Sequence, residues 1–97
     1  MDEIVKYIEN NIYYDYNLAN KIKNGDIKWY IPFPLRTLIS KKGICYDAAS
    51  LCAAMCRSQN IPCKIEKGYL ANGDYHAWNS IYIDNDWVKI DIKLKKA

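Results

Sequence analysis

Apolar residues recur at helical spacing in the first half of the chain and alternate along the last third, so the sequence divides into a helical part and a stranded part. Ile4, Tyr7, Ile8 and Ile12 fall on one helix face and predict an amphipathic helix over residues 3–12. The aromatic run Ile12-Tyr13-Tyr14-Asp15-Tyr16 is too short to fit either template. Residues 17–34 are polar and punctuated by Gly25, Pro32 and Pro34, which predicts a structured loop with a helical turn near Leu18 to Ile22. Residues 35–41 fit a short helix that stops at Gly43. From Tyr46 to Gln59 the pattern changes character. Ala48, Ala49, Leu51, Cys52, Ala53, Ala54, Met55 and Cys56 are apolar almost all round, and a helix of that kind sits inside a domain. Pro62 blocks its continuation.

The rest reads as strand. Cys63 to Leu70 alternates loosely, and Asn72-Gly73 is a strong hairpin signal. Residues 75–83 and 86–92 form a second pair around Asp84-Asn85. A two-residue loop there sets Ile83 opposite Asp86, Trp78 opposite Asp91 and His76 opposite Lys93. Ile81, Ile83, Val88, Ile90 and Ile92 then share one face, and His76, Trp78 and Asp91 share the other. The lysine-rich end, Lys93-Leu94-Lys95-Lys96-Ala97, reads as a solvated tail. Helices followed by an antiparallel meander define an α+β domain.

Length and composition narrow the class. Ninety-seven residues give one domain, 1–97, and the 51% hydrophobic and 26% charged content excludes disorder. No apolar run approaches the roughly 20 residues of a membrane span, so no membrane partner is expected. Met1-Asp2-Glu3 does not resemble a signal peptide. Fourteen basic against eleven acidic residues leave only +3, too little to argue for nucleic acid.

Four cysteines, Cys45, Cys52, Cys56 and Cys63, carry no CxxC spacing, and the chain has a single histidine. Cys45, Cys52 and Cys56 fall in one apparent helix, where disulfide geometry is rarely met. Cys52 and Cys56 read as small buried core residues. Cys45 differs. It follows Lys41-Lys42-Gly43-Ile44 and opens the buried helix, where unpaired N–H groups and the helix dipole favour a thiolate. Lys41 and Lys42 push the same way if they approach, and Gly43 allows a tight approach to the helix. Such a thiolate is a nucleophile, and the neighbouring N–H groups can hold an oxyanion. A cysteine nucleophile needs an imidazole, and His76 is the one candidate. The β register brings Asp91 within side-chain reach of it as an orienting group.

At these residues the chain resembles the transglutaminase-like superfamily. The resemblance rests on Lys42-Gly43-Ile44-Cys45-Tyr46-Asp47-Ala48-Ala49, on Ser58-Gln59-Asn60-Ile61-Pro62 with Gly68-Tyr69, and on Tyr75-His76-Ala77-Trp78-Asn79 and Trp87-Val88-Lys89-Ile90-Asp91. A G-x-C helix start, an H-A-W strand and a W-x-x-x-D strand occur in the family's order, and Tyr14-Asp15-Tyr16 is similar to the segment that precedes this core in bacterial members. The resemblance runs from Ile4 to Asp91 and implies a papain-like α+β core, a nucleophile helix packed on a small antiparallel sheet. It also implies a catalytic triad of Cys45 as nucleophile, His76 as general base and then acid, and Asp91 as its orienter.

The implied reaction is attack on a peptide or protein amide through a thioester acyl-enzyme, with hydrolysis favoured over amine transfer and no cofactor. Trp29 and Tyr14 are the candidates for a second oxyanion donor beside the Cys45 N–H. The chain departs from the family pattern at Ser80, where an acidic residue is usual, and at Ile92-Lys93, where proline and threonine usually follow the aspartate. Asp84, Asn85 and Asp86 read as a turn rather than a calcium site, so no metal is expected. Two competing readings are a non-catalytic peptide-binding module of the same fold and a metal-binding domain built on Cys45, Cys52, Cys56 and His76. The chain reads either as a minimal member or as a domain of a longer protein, cytoplasmic in the first case and exported in the second. Exposed Tyr13, Tyr16 and Trp29 leave room for a homo-oligomer without requiring one.

Overall fold

The structure, a computed structural model, describes residues 2–96. Its elements run α1 (Asp2–Asn11), β1 (Tyr13–Tyr14), α2 (Tyr16–Lys23), α3 (Pro34–Ser40), β2 (Lys42–Gly43), α4 (Cys45–Ser58), β3 (Cys63–Tyr69), β4 (Tyr75–Ile83) and β5 (Asp86–Ile90). The class is α+β. Helix α4 lies at the centre, in contact with α1, α3, β2, β3 and β4. Its all-round apolar surface explains that position: Ala48, Leu51, Cys52, Ala53 and Cys56 meet Ile8 and Ile12 of α1 and Ile81 of β4 in one cluster. Ile8, Ile12 and Ile81 are fully buried.

The sheet follows the expected register. Strand β4 pairs antiparallel with β3 on one side and β5 on the other. Ile83 faces Asp86, and the ladder continues to Asn79 opposite Ile90. Asp84 and Asn85 have φ of 52° and 67°, the pair of left-handed residues that a two-residue hairpin needs to match strand twist. At the other hairpin, residues 70–74 connect the strands; the Asn72 carboxamide accepts from the Asp74 N–H at 3.0 Å, and Gly73 takes φ +91°. Ile81, Ile83, Ile90 and Ile92 pack on the core from the predicted face, but Val88 at the sheet edge is 40% exposed. Strand β5 ends at Ile90 rather than at residue 92, so the expected pairing of Trp78 with Asp91 and of His76 with Lys93 is not part of the ladder.

Further features differ from expectation. The helical turn expected near Leu18 to Ile22 is a full helix, α2: Asp15 caps it by accepting from the Leu18 N–H at 3.1 Å, and Lys21 and Lys23 suit its C-terminal dipole. Leu18, Ala19 and Ile22 share one half-buried face, but no residue of the helix is fully buried. The run 12–16 contributes β1, which pairs in parallel with β2 through Tyr13 opposite Lys42 and Tyr14 opposite Gly43. Helix α3 starts at Pro34 and ends because Lys41 adopts φ 60°, ahead of Gly43.

Another difference is in residues 93–96. The segment read as a solvated tail is tied down. Leu94 packs on the core, the Tyr14 N–H donates to the Lys95 carbonyl at 2.7 Å, and the Lys93 N–H donates to Glu9 Oε2 at 2.9 Å. Backbone pairing there is indifferent to side-chain charge, so lysine content misleads. Ala97, like Met1, lies outside the described residues. No helix among the described residues is long and apolar enough to cross a membrane.

Candidate active site

Cys45 is the first residue of α4, and the chain reaches it through a crowded turn. A Cβ placed on Gly43 would lie 2.6 Å from the Asp47 Cβ, so this position excludes any larger residue without a shift of the helix start. Asp47 fixes that start. Its Oδ2 accepts from the Ile44 N–H at 2.9 Å, the return half of a capping box, and its Oδ1 accepts from the Tyr30 hydroxyl at 2.6 Å. Burial, reinforced by the bond to Asp47, pushes the Tyr30 phenol up to about 12. Arg36 donates to the Tyr30 oxygen at 3.1 Å and stacks on the Tyr30 ring. Sequence reasoning overlooked Asp47 and Tyr30. The signal for Asp47 was its place three residues after the cap; nothing local marks Tyr30.

His76 enters from β4. Its Nε2 lies 2.8 Å from Asp91 Oδ1, and the two side chains are 21% and 30% exposed. Asp91 reaches it from the residue just beyond the β5 ladder, which keeps the carboxylate on the His76 face. Trp78, next on that face, stacks against the imidazole at 6.2 Å between centroids, and Gly68 leaves room for the indole. Asn79, buried one position further, donates to the Ala49 carbonyl at 2.9 Å and so ties the His76 strand to the Cys45 helix. Lys93 approaches Asp91 only at 3.9 Å and is largely exposed, so it contributes little.

Cys45, His76 and Asp91 line one open cavity of about 410 Å³, together with Tyr14, Tyr16, Ile92, Lys93, Leu94 and Lys96. The segment read as a tail therefore supplies part of the wall. Of the two candidate oxyanion donors, Tyr14 lines this cavity, whereas Trp29 is 90% exposed and lies outside its lining. The chain turns Tyr30 inward to Asp47, leaving Trp29 in solvent.

One electrostatic expectation is corrected. Burial pushes the Cys45 thiol above the ordinary thiol value, and the Asp91 carboxylate adds to the rise. Backbone N–H groups at Ala77, Tyr46 and Cys45 itself oppose this without prevailing. Lys41 and Lys42 are exposed and are not among the groups that act on it. The helix start supplies the expected donors, but the desolvation of a thiol set below the surface outweighs them.

The other three cysteines stand apart. Cys52 and Cys56 are fully buried, Cys63 joins them from β3, and the three sulfurs lie within 4.8 Å of one another. None of the four cysteines forms a disulfide. The grouping of Cys45 and His76 with Cys52 and Cys56 is not assembled, because Cys45 opens α4 toward the cavity while Cys52 and Cys56 lie further along it in the core.

A thiol at a helix start beside an imidazole–carboxylate pair, on a central helix packed against a small antiparallel sheet, defines the transglutaminase-like class of papain-like folds. The sequence profile of the transglutaminase-like superfamily matches residues 1–92, and the chain belongs to that family. It is 35% identical over 98 residues to the UPF0252 protein MJ1282 of Methanocaldococcus jannaschii, covering 94% of this chain and 28% of that protein. Among solved structures it resembles a "putative cysteine protease" from Cytophaga hutchinsonii, with a TM-score of 0.73, 29% identity, and coverage of 93% of this chain and 29% of the other. It shares the fold of a TGase crystal structure at a TM-score of 0.71 and 24% identity, over 90% of this chain and 24% of that one. The chain thus spans less than a third of the length of these relatives.

Proposed function

We propose that the chain carries the catalytic core of a cysteine enzyme acting on peptide or protein amides, with Cys45, His76 and Asp91 as its triad. The observation that carries this reading is the 2.8 Å contact of His76 Nε2 with Asp91 Oδ1 on the wall of the cavity that also holds Cys45. Asp91 occupies Nε2, which leaves Nδ1 to accept the Cys45 proton. The raised thiol value fits this division of labour: the resting thiol keeps its proton until the imidazole takes it.

The sulfur then attacks the amide carbonyl carbon. The developing oxyanion accepts from the Cys45 N–H, which has no intrahelical partner at the first helical position, and from the Tyr14 hydroxyl at the cavity wall. Collapse breaks the C–N bond, His76 gives its proton to the leaving amine, and a Cys45 thioester remains. His76 next deprotonates the acceptor that attacks the thioester and restores the thiol. Water gives hydrolysis and a primary amine gives transfer. Hydrolysis is the favoured outcome, supported by the cavity's openness to solvent and by the description of the Cytophaga hutchinsonii relative.

The test is acylation of the folded, reduced chain by p-nitrophenyl acetate, with the modified residue located by mass spectrometry. The proposal expects acetyl on Cys45, turnover in water, and capture by an added primary amine. Modification confined to lysines, or Cys45 acylation unchanged in His76→Ala, favours the binding-module reading of the same fold.

A further inference from the structure

The trio of buried thiols lies outside the cavity, and nothing in the proposed reaction uses it. Cys52 and Cys56 project from successive turns of α4, and Cys63 meets them from the first position of β3. Their exposures are 0%, 0% and 7%, so an ion held there would be shielded from water and from competing ligands. Three sulfurs no more than 4.8 Å apart surround a point at most about 2.8 Å from each. A metal–thiolate bond is about 2.3 Å, so an inward shift of no more than roughly 0.5 Å per sulfur closes a three-coordinate site.

Polar groups lie at the Cys63 end of the trio. Asn79, 1% exposed, shares its Nδ2 hydrogens among the Ala49 carbonyl at 2.9 Å, the Lys64 carbonyl at 3.3 Å and the Cys63 sulfur at 3.4 Å, and an N–H donor near a ligand sulfur is a usual support of a thiolate site. Because the nitrogen faces the sulfur, the amide oxygen is turned away from it. The Arg57 guanidinium donates to the Cys63 carbonyl at 3.3 Å and brings positive charge to the rim. Among the described residues no fourth His, Cys, Asp or Glu joins the trio. Zinc sites are almost always four-coordinate, whereas soft monovalent copper accepts sulfur ligands alone.

We propose that Cys52, Cys56 and Cys63 form an all-sulfur binding site for copper(I), joining α4 to β3. Binding forms Cu–S bonds and releases one proton for each thiol that ionises. Copper is supplied and held as Cu(I), so no electron moves. The site is independent of the catalytic reading, because it lies in the core and shares no residue with the cavity.

The experiment uses the Cys45→Ala chain, which removes the thiol at the cavity, under anaerobic conditions with ascorbate-reduced copper and excess zinc. The expected result is one copper per chain after desalting, a raised Tm, and an X-ray absorption spectrum fitted by sulfur neighbours at about 2.3 Å. Adding Cys63→Ala removes the copper. Failure to retain copper, displacement by zinc, or retention unchanged by Cys63→Ala overturns the proposal. If Cys63→Ala does not fold, by circular dichroism, the absorption spectrum of the Cys45→Ala chain decides alone, and nitrogen or oxygen neighbours in place of sulfur overturn it.

Discussion

His76 and Asp91 are fifteen residues apart in the chain, and their side chains meet at 2.8 Å. Strand register brings them near: the turn at Asp84-Asn85 sets Ile83 opposite Asp86, the ladder runs to Asn79 opposite Ile90, and Asp91 follows directly after it. A one-residue slip would send the carboxylate to the face occupied by Ile81 and Ile92, so the packing that builds the core also aligns the pair.

Asp91→Asn therefore keeps the shape of the contact and removes its charge. An amide in that position offers the imidazole the wrong donor pattern and no counter-charge. Acylation of Cys45 is expected to slow by about 10⁴-fold, the scale seen when a triad aspartate is neutralised in a serine protease, while circular dichroism stays unchanged. An unaltered rate would remove Asp91 from the mechanism.

Gly43→Ala tests the crowding at the helix start. The added carbon meets the Asp47 Cβ at 2.6 Å, and neither backbone nor a buried carboxylate gives way freely. Overpacking of this kind costs about 1–3 kcal/mol, read as a lower urea midpoint with an unchanged m-value.

Tyr30→Phe removes the donor to Asp47 Oδ1 and leaves a buried carboxylate oxygen unpaired, at a cost of about 1–3 kcal/mol. The pH dependence has a definite sign. The folded phenol titrates at about 12, above its ordinary 10.0, so the folded chain holds a proton that the unfolded chain has already lost. The contribution of Tyr30 is full below the unfolded value and fades as pH rises through the folded one. Urea midpoints of the wild type and of Tyr30→Phe should accordingly converge toward alkaline pH. A gap that widens there contradicts the assignment.

Much of this was legible in the sequence because the informative elements are buried. The apolar periods of α1 and α4, and the alternation of β4 and β5 about a two-residue turn, record which face meets the core. The same alternation places His76 and Asp91 together. What escaped leaves no such record. Helix α2 buries no residue fully, β1 and β2 are two residues each, and Lys95 pairs through its backbone. Tyr30 and Asp47 are joined only by tertiary folding. The Cys45 thiol was misjudged for a related reason: the chain reveals a helix start, but the depth at which that start is buried is a property of the whole domain.

The most direct test of the catalytic account is the rate of Cys45 alkylation by iodoacetamide between pH 4 and 10, in the wild type and in His76→Ala, with sites read by mass spectrometry. Burial and Asp91 hold the isolated thiol up, so neutral-pH reactivity depends on His76 taking the proton. The account predicts that wild-type Cys45 reacts near neutral pH, ahead of the buried Cys52 and Cys56. In His76→Ala it predicts reaction only above the ordinary thiol value of about 8.5. Superimposable profiles in the two proteins would show that His76 does not activate the thiol, and would contradict the triad.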